Sequence, residues 1–215
     1  MPDSADLRPL LALPPLEAAP LLLGAVLSHG DVAVRITEVE AYAGAEDPGS
    51  HAYRGRTRRN QAMFGPPGHL YVYFTYGMHH CANVVCGPED AAGAVLVRAG
   101  EVVAGLPLAM QRRGGLRERD LARGPARLCQ ALGLDLRHDG ADLVDGPVRL
   151  APPAVPVTRA EVRTGPRVGL RHASERPWRF WIEGEETVSA YRPAAPRPTT
   201  RRGGTSQVDA DPATR

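Results

Sequence analysis

The chain of 215 residues contains no lysine, so all 26 of its basic residues are arginines. This absence excludes any mechanism that forms a Schiff base on a lysine side chain. Aromatic residues are also few, with three Phe, two Trp and six Tyr. A site that needs several aromatic rings must therefore use a large part of the chain's supply.

Cysteines are sparse as well, and long apolar runs are missing. Cys81, Cys86 and Cys129 show neither a CxxC spacing nor an even count, which favours a reduced compartment. The Leu-rich stretch at residues 7–27 is interrupted by four prolines and has no cationic start. Because these features argue against a signal sequence and a membrane span, we expect a bacterial-type cytoplasmic protein that acts at the nucleoid, without a membrane.

The window from Thr37 to Asn83 concentrates what the rest of the chain lacks. It holds five of the six tyrosines, beside Glu38 and Glu40 and a loop rich in arginine. A hydrophobic core has no need of acids and arginines next to its rings. A site that stacks a flat ring, does chemistry at its edge and holds a polyanion needs all three.

Local charge indicates nucleic acid although the net charge is only +2. Four arginines follow one another without an intervening acid, and six more at residues 112–127 are diluted by two acids. Each cluster is typical either of a solvated face or of a surface that binds phosphates. We assign the first cluster to the nucleic-acid backbone: Arg54, Arg56, Arg58 and Arg59.

Length and a hydrophobic content of 43% favour one α+β domain. We divide the chain into a Pro-rich N-terminal segment lying loosely on the surface (residues 1–18), a folded domain (19–191) and a disordered Arg/Pro-rich tail (192–215). Strands are predicted at residues 32–42, 94–98, 148–150, 167–170, 178–182 and 186–189. Helices are predicted at residues 19–27, at 106–113, and from Pro125 to a stop at Gly133.

Two strands place the chemistry. Alternation over residues 32–42 sends Ile36, Glu38, Glu40 and Tyr42 to one face. Residues 70–75 and 81–85 form a predicted hairpin, with Gly77 supplying the turn.

The tyrosines could enclose a nucleobase. Extruding a base from a duplex costs a few kcal/mol, and stacking on an aromatic ring offsets about 1–3 kcal/mol of this per base. Tyr42 and Tyr73 could form two walls, although Tyr73 could equally be the core-packed face of its strand. Tyr76, at the hairpin tip, is suited to insertion into the base stack.

The two glutamates invite different readings. At alternate strand positions their Cα atoms lie about 6.5–7 Å apart. An anionic glutamate beside a flipped nucleotide can hold a water and take its proton as the water attacks the sugar carbon. The alternative is pairing with arginines such as Arg35 or Arg98, which we expect for Glu38 and not for Glu40.

A metal site is the rival use of nearby residues. His79, His80, Cys81 and Cys86 are close in sequence, and His51 or a glutamate could join them. Neighbouring histidines on a strand point to opposite sides, and no HExxH or paired CxxC is present. We therefore predict no metal.

At this point the sequence resembles the alkyladenine (3-methyladenine) DNA glycosylase family. The resemblance covers most of the chain and is most specific from Glu38 to Asn83. It rests on Glu-Val-Glu-Ala-Tyr at 38–42, Asp-Pro-Gly-Ser-His-Ala at 47–52, Thr-Arg-Arg-Asn at 57–60, Tyr-Val-Tyr-Phe-Thr-Tyr-Gly-Met at 71–78, Cys-Ala-Asn at 81–83, Leu-Val-Arg-Ala at 96–99, the helix at 124–132 and Arg-Val-Gly at 167–169.

This resemblance implies a single mixed α/β domain on a curved antiparallel sheet, with a protruding hairpin, short helices and no metal or organic cofactor. It implies that Glu40 is the general base and that Arg98 lies next to the catalytic water and the backbone.

It also implies a pocket for the flipped base. Tyr42, His51 and Tyr73 match the residues that enclose the base. Asn83 matches the pocket-floor asparagine that disfavours the exocyclic amine of guanine, and Tyr76 matches the side chain inserted into the duplex.

The implied enzyme is a monofunctional base excision repair glycosylase, acting as a monomer on double-stranded DNA with alkylated or deaminated purines. It would hydrolyse the N-glycosidic bond of 3-methyladenine or 7-methylguanine, with hypoxanthine and ethenoadenine as further candidates, and leave an abasic site. Two alternatives stay open. A metal-dependent nuclease would use Glu38, Glu40 and His51 as ligands, and a non-catalytic damaged-DNA-binding module would need only Tyr76 and the arginines.

Overall fold

The computed structural model describes residues 7–195 and contains a single α+β domain, as the sequence predicts. Eight strands within these residues form one curled antiparallel sheet. They are β1 (Val26–His29), β2 (Val32–Ala43), β3 (Leu70–Thr75), β4 (His79–Cys86), β5 (Gly93–Ala104), β6 (Val148–Ala151), β7 (Val162–Gly165) and β8 (Arg179–Ile182). The helices are α1 (Arg8–Leu11), α2 (Pro15–Leu21), α3 (Leu106–Arg113) and α4 (Pro125–Leu132).

The long strands β2 and β5 form the centre of the sheet. The strand order is β3-β4-β5-β2-β1-β6, and β8 joins β2 and β7 off this path. The first part of β2 pairs with β1, and its later residues Glu38–Glu40 pair with β8. This later half of β2 faces the site described below.

The hydrophobic core lies between the sheet and the helices. Leu128 and Leu132, four residues apart on α4, are both fully buried, because this spacing puts them on one face of the helix. They join Leu27, Val34 and Ile36 of β1 and β2 in one cluster. α4 packs across β4 and β5, as its contacts with these strands show.

A β-bulge in β2 changes which side chains share a face. Val34 and Ile36 lie in the core, and so do Val39 and Ala41, so the alternation shifts by one residue between the two pairs. The pairing of β2 with β5 shifts register between Ile36 and Glu38. The prediction that Ile36 shares a face with Glu40 is therefore wrong, because an inserted residue reverses the facing of everything before it.

The N-terminal segment is packed over residues 7–18, and the prediction that it lies loosely on the surface is wrong there. Leu11 and Ala18 are fully buried. Pro9 and Pro15 lie in the first turns of α1 and α2, where proline begins a helix and does not break it. Residues 1–6 lie outside the described part of the chain.

Other elements differ in part. The helix predicted at 19–27 is wrong, because α2 ends at Leu21 and β1 begins at Val26. The strands predicted at 167–170 and 186–189 are irregular segments. Val168 and Ser189 direct their backbone N–H groups to glutamate side chains, which replaces the ladder bonds of a strand. The predicted hairpin, α3 and α4 are confirmed.

None of the helices within residues 7–195 has the length and apolar composition that crossing a membrane would require. A disordered tail is predicted from residue 192. Its residues from 196 onwards lie outside the described part of the chain.

Candidate active site

A cavity of about 350 Å³ opens beside the later half of β2 and the β3–β4 hairpin. Every residue that the sequence assigned to catalysis, to the base pocket or to insertion lines it: Glu40, Tyr42, His51, Tyr73, Tyr76, Asn83 and Arg98. Of the residues that the structure describes, Glu40 alone contributes a carboxylate to the cavity wall.

Glu40 is buried in the cavity wall and held by two hydrogen bonds and one ion pair. The backbone N–H of Val168 donates to Oε1 at 2.7 Å, and Tyr42 Oη donates to Oε2 at 2.9 Å. Arg98 Nη1 lies 3.4 Å from Oε1, so the expectation that Glu40 stays apart from arginine is wrong. A carboxylate offers about four acceptor positions, so one position of Glu40 remains for a further donor.

Glu38 is fully engaged away from the cavity. Its carboxylate accepts from Arg179 Nε at 2.6 Å, from the Ser189 backbone N–H at 2.7 Å and from Ser189 Oγ at 3.0 Å. Arg98 Nε lies 2.9 Å from the Glu38 carboxylate as an ion pair and donates its N–H to Ser189 Oγ at 3.1 Å, which bears out the predicted pairing of Glu38 with an arginine. Three hydrogen bonds and two arginines therefore surround Glu38, which does not line the cavity.

The ring of Tyr42 packs against a buried arginine. The guanidinium of Arg167 lies 4.6 Å from its ring centroid and 5.0 Å from that of Trp178, which sandwiches the cation between two rings. Arg167 is fully buried and makes two bonds to Asp47, at 2.5 and 2.7 Å. Burial raises the pKa of Tyr42 well above its ordinary value, and the charge of Glu40 raises it further. Tyr42 therefore remains a hydroxyl donor to Glu40.

His51 and Tyr73 form another part of the cavity wall. Their ring centroids are 4.5 Å apart and nearly perpendicular. His51 Nδ1 lies 3.1 Å from the hydroxyl of Tyr71, a fully buried ring in a small second core. Burial against the tyrosines lowers the pKa of His51, and Arg59 lowers it further. The histidine is therefore neutral near pH 7.

Asn83 lines the cavity and is nearly fully buried. Its Nδ2 donates to the backbone carbonyl of Tyr71 at 3.0 Å. This bond fixes the amide plane.

The hairpin tip projects from the domain. Tyr76 is 85% exposed and adopts a positive φ of 51°, followed by Gly77 at 67°. Met78 is exposed too, at 69%. An exposed ring on a strained turn is unfavourable in isolation, so this tip has the character of a contact surface.

The arginine loop lies outside the cavity. Arg54, Arg56, Arg58 and Arg59 are exposed. Arg56 pairs with Asp90, and Arg59 donates to the carbonyl of Phe74 at 3.2 Å, which ties the loop to the hairpin.

The histidines and cysteines of the hairpin do not converge. His80 contacts the ring of Phe74, and Cys81 is buried next to Tyr73. Residues 7–195 contain no group of three or more His, Cys, Asp or Glu side chains able to hold a metal ion.

Sequence reasoning missed the residues that hold the two glutamates and Tyr42. Arg167, Val168, Arg179 and Ser189 were given no role. Their contacts span 120 to 151 residues of chain. The one available signal was a pair of short motifs, Asp47-Pro48 and Arg167-Val168, within otherwise irregular sequence.

Comparison with known proteins assigns this geometry to a family. The model of the methylpurine-DNA glycosylase family matches residues 10–186. A protein of Streptomyces avermitilis is 53% identical over 206 residues, covering 91% of this chain and 96% of the relative.

Two further relatives agree. A protein of Frankia casuarinae is 54% identical over 204 residues, covering 89% of this chain and 94% of the relative. One of Leifsonia xyli is 57% identical over 190 residues, covering 82% and 88%. All three are provisionally named 3-methyladenine DNA glycosylases.

Proposed function

The chain belongs to the methylpurine-DNA glycosylase family and is a DNA repair glycosylase, and we propose that Glu40 activates the water that releases an alkylated purine from DNA. The observation that carries this proposal is that, among residues 7–195, Glu40 alone contributes a carboxylate to the cavity wall, and that it accepts only two hydrogen bonds there.

The proposed hydrolysis begins with a water bound to Glu40. Glu40 takes a proton from the water as its oxygen attacks C1′ of the deoxyribose and the bond from C1′ to the base nitrogen breaks. The bonding pair leaves with the base. An alkylated purine such as 3-methyladenine or 7-methylguanine carries positive charge before it leaves, so it needs little acid assistance.

The walls supply the binding energy for the flipped base. Tyr42 forms one part of the cavity wall, and Tyr73 and His51 form another. Electron-rich rings attract a cationic base, and stacking contributes about 1–3 kcal/mol per base. Neutral lesions such as hypoxanthine lack this attraction and need a donor to their leaving nitrogen.

Insertion of Tyr76 would keep the base out of the stack. The ring is large and almost wholly exposed at the hairpin tip, which lines the mouth of the same cavity. A side chain that fills the vacated space offsets the lost stacking.

The product is proposed to be an intact abasic site. Strand cleavage by a glycosylase requires an imine on an amine, and the chain has no lysine.

The test is incubation with alkylated double-stranded DNA, in parallel reactions with EDTA and with Mg²⁺, with free bases measured by chromatography and strand breaks by denaturing gel. We expect 3-methyladenine and 7-methylguanine to appear without strand breaks until alkali is added. Strand scission without free base, abolished by EDTA, would instead identify a metal-dependent nuclease. Binding to damaged DNA with neither product would identify a non-catalytic module.

A further inference from the structure

A second cavity, of about 320 Å³, adjoins the first. Arg98 and Val168 belong to the walls of both cavities, and both contact Glu40. Whatever occupies the second cavity therefore lies next to the reacting sugar in the proposed function.

The second cavity is strongly cationic. Besides Arg98 its wall includes Arg123, Arg127 and Arg192, against one carboxylate, Asp120. This excess favours an anionic occupant, because a bound phosphate would offset the repulsion among the arginines of the wall.

Asp120 does not consume the arginine donors. Its Oδ1 lies 3.7 Å from Arg123 Nη1 and 3.9 Å from Arg127 Nη1, both beyond hydrogen-bond distance. Arg123 is held in place by a 2.9 Å bond from its Nε to the Val188 carbonyl. The terminal nitrogens of both guanidinium groups thus have donor capacity toward the cavity.

The start of α4 adds backbone donors. Gly124, which lines this cavity, precedes α4 with a φ of 120°, and no side chain caps the helix. Pro125 has no N–H and the Gly124 N–H donates to the Ala122 carbonyl, so the free donors of this first turn are the N–H groups of Ala126 and Arg127, and the positive end of the helix favours an anion. Arginines on either side of such a helix start form a phosphate-binding arrangement.

We propose that this second cavity binds the DNA phosphodiester group adjacent to the flipped nucleotide, through Arg123, Arg127 and the start of α4. The proposal rests on the proposed function, since the position of the phosphate is defined by a sugar at Glu40. It adds a phosphate contact separate from the loop of Arg54, Arg56, Arg58 and Arg59. Because Arg98 contacts both Glu40 and this cavity, a bound phosphate would fix the sugar over the carboxylate.

A protein–DNA double-substitution cycle tests the contact. Lesion duplexes are prepared with one neutral methylphosphonate, either 5′ or 3′ of the lesion, and binding is measured with wild type and Arg127→Gln. We expect Arg127→Gln to bind the unmodified duplex roughly tenfold more weakly than wild type does, as for the loss of one charge-assisted hydrogen bond. At one flanking position the methylphosphonate should weaken wild type by a similar factor and leave the variant unchanged. The salt slope of the variant should fall by about 1.

Arg149→Gln is the matched control, because Arg149 is exposed on β6 at the far edge of the sheet. This variant should bind as wild type does and keep the full sensitivity to the methylphosphonate. Equal losses for wild type and Arg127→Gln at both positions would overturn the proposal. Base release by wild type from the unmodified duplex is measured in the same series, so failure of the proposed function would be seen separately.

Free phosphate is the alternative source of the same chemistry. Titration with inorganic phosphate, followed by displacement of the duplex, distinguishes it. We expect only weak competition at millimolar phosphate, no stronger than that of sulfate. Tight phosphate binding that depends on Arg127, together with an absent methylphosphonate effect, would contradict a DNA contact.

Discussion

Glu38 and Glu40 lie two residues apart on one face of β2, yet their surroundings differ. Glu38 accepts three hydrogen bonds from Arg179 and Ser189, forms an ion pair with Arg98 and does not line the cavity. Glu40 accepts from Tyr42 and Val168, has Arg98 at 3.4 Å and lines the cavity. The difference separates two uses of one type of side chain. Glu38 holds distant segments of the chain together, and Glu40 lies in the cavity wall, where we propose that it binds a water.

Arg98 links the two surroundings. Its Nε lies 2.9 Å from Glu38 and its Nη1 lies 3.4 Å from Glu40. The ion pair with Glu38 thus helps to orient the arginine that also contacts Glu40, which is how a buried ion pair can serve precision of geometry at no gain in stability.

Glu38→Gln tests whether Glu38 is a structural anchor. Removing this charge leaves two buried arginines without their partner, so we expect a loss of about 3–5 kcal/mol in the free energy of unfolding, measured by urea denaturation. Glu101→Gln is the control. Its half-exposed pair with Arg35 should contribute about 1 kcal/mol or less. Equal losses in the two variants would show that Glu38 is not a structural anchor.

Tyr42→Phe tests how much the hydrogen bond to Glu40 contributes, since it keeps the ring and removes the donor to Glu40 Oε2. A hydrogen bond to a charged group contributes about 1.5–3 kcal/mol. We expect the single-turnover rate of base release to fall roughly 10- to 100-fold, with unchanged lesion binding. A fall in binding alone would assign Tyr42 to stacking only.

Tyr76→Ala separates binding from chemistry. Loss of the inserted ring should weaken binding to an abasic duplex by about 1–3 kcal/mol, measured by gel shift. Val155→Ala removes an equally exposed apolar side chain elsewhere and should have no effect. Unchanged affinity of Tyr76→Ala would remove the insertion role without touching Glu40.

The smallest effect is expected from the arginine loop. Arg58→Gln should weaken binding to all DNA sequences alike and reduce the salt slope by about 1, because a phosphate contact carries no sequence information. Measurement of affinity at several salt concentrations checks this. An unchanged slope would show that Arg58 is a solvated side chain without a phosphate contact.

Local patterns predicted the elements whose signals are local. Gly77 at the hairpin turn, and Pro125 and Gly133 at the ends of α4, lie where the backbone needs them. Alternation in β2 correctly put Glu38, Glu40 and Tyr42 on one face. It failed for Ile36, because a bulge depends on pairing with β5 and leaves no mark in the strand's own sequence.

The surroundings of the site could not be predicted, since they form over long sequence separations. Arg167 reaches Asp47 across 120 residues and Ser189 reaches Glu38 across 151. Both lie in segments that were predicted to be strands, at 167–170 and 186–189. A lone arginine in such a segment is usually solvated, and only the fold shows that Arg167 is fully buried between two rings.

The proposed mechanism requires that the carboxylate of Glu40 takes the proton of the attacking water. The most direct test is single-turnover base release from a lesion duplex by wild type and Glu40→Gln, at protein concentrations that saturate binding for both. Loss of a general base predicts a rate lower by about 10²–10⁴, with lesion affinity retained. Release by Glu40→Gln at the wild-type rate under equal occupancy would contradict the account.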